Sequence, residues 1–587
     1  MKIQSTAKQK SERGYALVIT MVFLAIAMML LASIGSRTSN GSMLTARNNS
    51  YNTSVAAAES ATEVVIAQMS RDFLHQALSA NVNLYNGILP GTFVPTGWTA
   101  DYQFSDGRGN AGLTDVACTG WQQWTNLDSQ FVGLYGLVST YQLTSNARKI
   151  AGSAPVSAGV RQSVQFTSIP IFQYAIFYTL DLEINPGPPM LVTGKVHGNS
   201  DIYLAPQNTL EFADSVGYAG HVYYNRNPND PTGGNKTTPI FDAQDPQQVS
   251  AMTLPVGTSP DPTNIVQILD APPLGENPWS AEGRERYYNK SDLIIITTNN
   301  SVTVKFNEFE DGSSLTLVPT NTLTSGGKTG YTFVNTNVSF YDFREGKQVQ
   351  ATEIDVVALT NWMAGSSGYA LNQLALTKTG HTINSIFVDD QRPGSGKLTA
   401  VRVVNGQSLP ASGLTVATPR PLYVAGHFNA PDLTPGSTDT SGTAPASLVS
   451  DAITILSPNW DDSWNAGTGL SSRGAANATV NAAILSGIVP SVTTAAGVPH
   501  YSGGVENFPR FLENWSSSTL TYNGSMVVMF ASRQATNFWI APGTYYNPPT
   551  RKWAFDSNFL SINKLPPATP QVRKTQRGSW SIVAAGN

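Results

Sequence analysis

The first strong pattern along the chain is an apolar run from Tyr15 to Ile34, in which only Thr20 and Ser33 are clearly polar. Twenty helical residues rise about 30 Å, the thickness of a bilayer's hydrocarbon core. Lys2, Lys8, Lys10 and Arg13 precede the run, against one acid, Glu12. Basic flanks stay cytoplasmic, so everything after about residue 35 is expected outside. A cleaved secretory signal has an apolar core of roughly 7–15 residues and a small-x-small site after it. This run is longer, and Ala32-Ser33-Ile34-Gly35 matches such a site poorly.

The helical pattern continues past the run. No proline occurs before Pro90, and Ala58, Ala61, Val65, Met69 and Phe73 recur at spacings of three and four. One helix from Tyr15 to about Leu78, roughly 100 Å long, is expected, with Gly35 and Gly41 as weak points. The period then changes. Val138–Leu143 and Val160–Phe166 partly alternate apolar and polar residues, as strands of a small antiparallel sheet would.

After Asn185-Pro186-Gly187-Pro188-Pro189 come short apolar runs bounded by Gly, Asn or Ser, at 190–199, 201–204, 421–429, 451–456, 480–487 and 524–530. This style predicts a right-handed parallel β-helix, with an antiparallel β-sandwich carrying long loops as the alternative. The fold class expected is therefore mainly β with a long N-terminal α-helix. The domain plan is a basic leader at 1–14, a helix at 15–80, a small mixed or antiparallel β region at 81–180, and a large β domain at 181–587 with an insertion at about 205–380. Within that insertion, strands at 293–297 and 302–306 and a helix at 353–362 are expected.

Composition narrows the class. Charged residues are 13% of the 587, against roughly 25% in soluble globular proteins, while Gly (50) and Pro (36) are frequent. That suits an exported, turn-rich β protein. The net charge of −4 gives no reason to expect nucleic acid as a partner. Cys118 is the single cysteine, which excludes an internal disulfide and a multi-Cys zinc site.

The stretch Ser11-Glu12-Arg13-Gly14-Tyr15-Ala16-Leu17-Val18-Ile19-Thr20, followed by Arg37-Thr38, Ala46-Arg47-Asn48 and Ala57-Ala58-Glu59, resembles the N-terminal domain of PilX-type minor pilins over about residues 11–75. The resemblance implies cutting by a prepilin peptidase between Gly14 and Tyr15. It also implies a place in the bacterial inner membrane, N-terminus cytoplasmic, among other pilin-like subunits and the pilus assembly machinery. Tyr15, Leu17, Val18, Ile19, Phe23, Leu24, Leu30, Leu31 and Ile34 are the expected membrane and assembly residues. The family's major pilins carry Glu at the fifth mature position, and Ile19 stands there. An unpaired carboxylate in lipid is costly and needs a partner. Its absence points to a peripheral or tip-proximal subunit. The C-terminal stretch, including 501–515 and 565–570, resembles uncharacterised extracytoplasmic domains attached to such N-termini, and implies no activity.

Candidate chemistry is sparse. The six histidines show no HxH or HExxH spacing, so no metal or cofactor is expected. His197 and His427 read as turn residues at the edge of the β domain. Gly107–Gly112 fits G-x-G-x-x-G but leads into no clear helix, and Gly327-Lys328-Thr329 lacks a full phosphate-binding loop before it. Asp389-Asp390 and Asp461-Asp462 read first as turn acids; they are also the paired carboxylates that a polysaccharide-active enzyme would need, or that could bind Ca²⁺ with loop carbonyls or a glycan. Trp460, Trp464, Tyr545 and Tyr546 lie near turns and suit a glycan-binding face, whereas Phe538-Trp539 reads as strand core. The expectation is a structural, non-enzymatic pilin-like subunit. A membrane-anchored polysaccharide-active enzyme and an adhesin binding a surface glycan are the alternatives.

Overall fold

A computed structural model describes residues 15–93, 98–150, 156–234, 236–255, 261–319, 330–431 and 437–585. The leader 1–14, with Gly14, and Gly327-Lys328-Thr329 lie outside the described residues.

A helix spans Tyr15–Leu74 without a break, ending four residues short of the expected Leu78. Gly35 and Gly41 sit within it, and neither has a neighbouring group within 4 Å of its missing side chain. The C-terminal third of the helix lies on an antiparallel sheet. That sheet comprises Tyr102–Ser105, Asp115–Asn126, Tyr135–Lys149, Ser157–Pro170 and Gln571–Val583. The first four strands are local in sequence. The fifth returns from the far end of the chain and pairs antiparallel with Ser157–Pro170, from Gln571↔Pro170 to Val583↔Gly159. Arg573, Lys574 and Arg577 belong to this strand.

The rest of the β structure is inserted between those two strands and runs mostly parallel. Ile176–Tyr178, Val196–Gly198 and Val216–Tyr218 stack at steps of 20 residues, Ile176 on Val196 on Val216. Leu182–Ile184, Ile202–Leu204 and Val222–Tyr223 do the same in a second sheet. Met190–Val192, Leu210–Phe212 and Ile240–Phe241 form a third, with the 224–239 loop delaying its last step. Equivalent side chains therefore stack: Tyr203 on Tyr223 at 5.0 Å and Phe212 on Phe241 at 5.2 Å.

The first of these sheets continues beyond Ile176. Met526 pairs parallel with Ile176, and Thr519–Val528 then leads through Ala478–Ser486, Ala446–Ser450, Leu414–Ala417 and Ser385–Asp390 to Leu293–Thr297. Only the last neighbours, Val302–Asn307 and Leu315–Leu317, are antiparallel. A five-stranded sheet, Val334–Asp342, Lys347–Asp355, Leu398–Val404, Leu422–Ala425 and Ile453–Leu456, covers the same core from another side. These registers are unlike those of the antiparallel sandwich. Steps of 32 residues (Leu414 to Ala446) and 42 (Ala483 to Ser525) reflect unequal loops between stacked strands.

Asparagine has an interior role here. Asn429, Asn481 and Asn523 are buried one above another. Asn481 Nδ2 donates to the Asn429 carbonyl at 2.9 Å, and Asn523 Nδ2 donates to Asn481 Oδ1 at 2.8 Å. Buried amides must find partners, and the stacked ladder supplies them for the Asn481 and Asn523 amide nitrogens.

Residues 205–380 are divided. Up to Tyr223 they continue the 20-residue recurrence, the next strands to Gln248 stack at longer steps of 29 and 30 residues, and Leu293–Thr297 lies inside the long sheet. The helix expected at 353–362 runs over Val356–Ala364, because Asp355 caps it by accepting from Ala358 N at 2.9 Å, while Glu353 stays in a strand. A second helix, Ser366–Thr379, follows. Phe538 and Trp539 lie in no strand and are half-buried, so they are not strand core.

Candidate membrane-anchoring and docking helix

The helix has two halves with opposite surroundings. No side chain from Tyr15 to Asn49 is buried. Tyr15, Leu17, Val18, Ile19, Phe23, Leu24, Leu30, Leu31 and Ile34 all stand exposed, Phe23 and Leu31 at 68%. Its threonine hydroxyls close on the helix itself. Thr20 Oγ1 donates to Ala16 O and Thr38 Oγ1 to Ile34 O, each at 2.9 Å. Hydroxyls satisfied in this way leave an outer surface compatible with lipid. The helix is long and apolar enough to cross a membrane.

From Ser54 onward one face is covered. Ala57, Ala58 and Ala61 are fully buried and let the helix backbone approach the sheet, with Tyr102, Phe104, Ala147 and Val160 around them. Val65, Ile66, Met69 and Phe73 then pack on Tyr141, Leu143, Val164 and Phe166, and the Phe73 and Phe166 rings lie 5.3 Å apart. Polar ties fix the register. Ser54 Oγ donates to Val156 O at 2.9 Å, and Gln162 Nε2 donates to Thr62 Oγ1 at 3.0 Å.

The C-terminal strand supplies further ties. Arg577 pairs with Glu63. Arg573 donates to Leu74 O at 2.6 Å, at the end of the helix, and to Glu285 Oε1 at 2.7 Å. Glu285 is buried, which works to raise its pKa, but Lys290 and Arg573 outweigh that and hold it below the ordinary carboxylate range. Periodicity revealed the buried stripe of the helix. It did not reveal Thr62, Gln162 or the arginines, whose partners lie 100 to 514 residues away in sequence. A cluster of basic residues near the end of a weakly charged chain was the available signal.

Three of the four paired acids are taken up by arginines. Asp390 accepts from Arg392 Nε at 2.9 Å and from Thr352 Oγ1 at 2.8 Å, and Asp389 accepts from Arg420 Nε at 3.1 Å. Asp462 holds Arg402 through both carboxylate oxygens, at 2.6 and 2.9 Å, while Asp461 caps the turn at Ser463 N. The two pairs thus serve different arginines on different segments. His197 is not a turn residue: it lies in a strand, 2% exposed, stacked 5.1 Å from Phe177, and burial lowers its pKa to about 4. Tyr545 and Tyr546 are buried rather than displayed. Trp460 and Trp464 are half-buried, edge to face at 5.1 Å.

The chain matches no family model and no curated protein. Among solved structures it is similar to the competence-associated pilin ComZ from Thermus thermophilus, at 12% identity and a TM-score of 0.26, over 91% of this chain and 97% of that one. A superposition that loose carries no argument about fold or role. The PilX-type resemblance of residues 11–75 has no family match behind it.

Proposed function

We propose that this protein is a structural, pilin-like subunit, a minor pilin or pseudopilin of PilX type, of a type IV pilus or a related secretion machine. One observation carries the reading. A single helix leaves its apolar N-terminal half exposed and buries its C-terminal half on an antiparallel sheet that the remainder of the chain elaborates. In this reading prepilin peptidase cuts between Gly14 and Tyr15. Tyr15–Ile34 then spans the inner membrane, N-terminus cytoplasmic, or inserts among the helices of other pilin-like subunits. Ile19 makes it a peripheral or tip-proximal member. The β domain displayed outside is a parallel β-helix, a reading supported by its stacked parallel strands and 20-residue steps. The role is assembly and display, without catalysis.

A groove of about 620 Å³ between the Pro188–Leu191 and Pro548–Trp553 segments, with Trp553 and Lys552 in its wall, favours a second reading, adhesion to a surface glycan. The test of the first reading is the mature N-terminus of the full chain, expressed with and without prepilin peptidase. A start at Tyr15 that depends on the peptidase supports it. An unprocessed chain, or cleavage beyond Ile34, sinks it.

A further inference from the structure

Asp292, Glu310 and His381 come from three separate places in the sequence and meet at one end of the long sheet. Asp292 immediately precedes the Leu293–Thr297 strand. Glu310 lies in the loop between Val302–Asn307 and Leu315–Leu317. His381 follows the Ser366–Thr379 helix. One nitrogen or carboxylate oxygen from each lies within 4.8 Å of the other two.

The details of each side chain are those of a ligand set. Asp292 is fully buried. Its Oδ2 is saturated, accepting from Asn384 N at 2.8 Å, Ser385 N at 3.1 Å and Ser385 Oγ at 2.9 Å. Its Oδ1 has no hydrogen-bond partner. A buried carboxylate oxygen left bare is costly and calls for an explanation such as an ion. His381 Nδ1 donates to the Thr382 carbonyl at 2.9 Å, which leaves Nε2 to face Glu310 Oε2 at 3.1 Å. A backbone carbonyl on one ring nitrogen and a carboxylate beside the other is the usual dress of a metal-bound histidine. The 3.1 Å separation is close to the roughly 3.4 Å edge of a tetrahedron with metal–ligand bonds of about 2.1 Å. Lys378, at the end of the preceding helix, is turned to Glu308 at 2.9 Å.

We propose that Asp292 Oδ1, a Glu310 carboxylate oxygen and His381 Nε2 bind one first-row divalent cation of the zinc or manganese class, with water completing the coordination. An imidazole with two carboxylates suits these ions. Ca²⁺ takes 6–8 oxygen ligands and gains nothing from the imidazole. The Glu310 and His381 side chains are 27% and 30% exposed, so ion and water can enter. The bound ion clips the 308–314 loop to the helix–strand junction at 380–384, closing the end of the sheet. This inference is independent of how the N-terminal helix is used.

The test uses the full chain in detergent micelles, stripped with a chelator and titrated calorimetrically with ZnCl₂, MnCl₂ and CaCl₂. The expected result is one Zn²⁺ or Mn²⁺ per chain, with affinity for it lowered at least about tenfold in both Glu310→Gln and His381→Gln. These half-exposed positions are chosen because Asp292→Asn risks the fold; circular dichroism verifies that each variant is folded. Bound metal also raises the unfolding temperature of the parent chain and leaves that of the two variants unmoved. No uptake by the parent, uptake unchanged in either folded variant, or tighter binding of Ca²⁺ than of both transition metals overturns the proposal.

Discussion

Gln162 Nε2 donates to Thr62 Oγ1 at 3.0 Å in a contact buried from both sides, a polar pin between the long helix and the centre of the small sheet. Thr62→Val removes the acceptor and leaves the Gln162 amide buried without its partner, at a cost of about 1–3 kcal/mol. Pairing Thr62→Val with Gln162→Met removes both polar groups and should recover most of that loss. Denaturant unfolding of the two variants checks it. A double variant less stable than Thr62→Val alone refutes the pin.

Ala61 is fully buried where helix and sheet approach. Ala61→Leu forces extra methylenes into filled space and should cost about 1–3 kcal/mol. Ala46→Leu, on the exposed part of the same helix, should be neutral within about 0.5 kcal/mol. Limited proteolysis gives the same contrast, with the helix released only in the first variant.

Arg573 joins three parts of the molecule: the end of the long helix, the buried Glu285 and the sheet itself. Arg573→Met strips one of two cations from Glu285 and should destabilise by about 3 kcal/mol, moderated by Lys290, which remains at 2.7 Å. Truncation after Pro570 should do more, since it also bares the edge of the Ser157–Pro170 strand. Thermal unfolding and aggregation of the two proteins should rank in that order.

Three buried glutamates contribute to the pH response in the same sense. Burial raises each of Glu183, Glu506 and Glu513 from 4.5 to about 7. The folded state therefore holds protons that the unfolded state has released between pH 4.5 and 7. Their favourable contribution is complete below pH 4.5 and is lost as pH rises through 7. Glu285, held low by its cations, contributes in the opposite sense and is lost in acid. Denaturant midpoints should be highest near pH 5 and decline toward pH 8. Glu183→Gln should flatten that decline, because Glu183 Oε1 keeps Ser491 and Ser502 while its Oε2 has no partner to lose.

The helix and the local strands of the small sheet were legible because their signals are periodic over neighbouring residues. Ala58, Ala61, Val65, Met69 and Phe73, named from spacing, all lie in the buried stripe. The 20-residue recurrence was also on view in the chain. Val196, Ile202 and Tyr203 anticipate Val216, Val222 and Tyr223, but the runs are three residues long and the third step is stretched by a loop. What no local pattern carries is closure at a distance. Ser163 and Ser579 meet across 416 residues, and His381 meets Glu310 across 71. Spacing rules that look along one helix or turn do not see side chains that meet from a loop and a helix end so far apart in sequence.

Leu24 lies near the middle of the exposed apolar half of the helix, 60% exposed and without a buried neighbour on either side. Water is a poor environment for such a surface: twenty mostly apolar side chains with no protein cover would otherwise drive aggregation. A bilayer, or a sheath of similar helices, removes that cost. A charge at this depth is expensive, about 2.5–3.5 kcal/mol for arginine at the centre of a spanning helix. Leu24→Arg should therefore shift the chain from the membrane fraction to aggregates or degradation. Met43→Arg, on the same helix but beyond the apolar run, should leave membrane partition unchanged. Alkaline extraction of membranes separates the cases. Equal retention of both variants would mean that Tyr15–Ile34 is held by protein contacts instead of lipid.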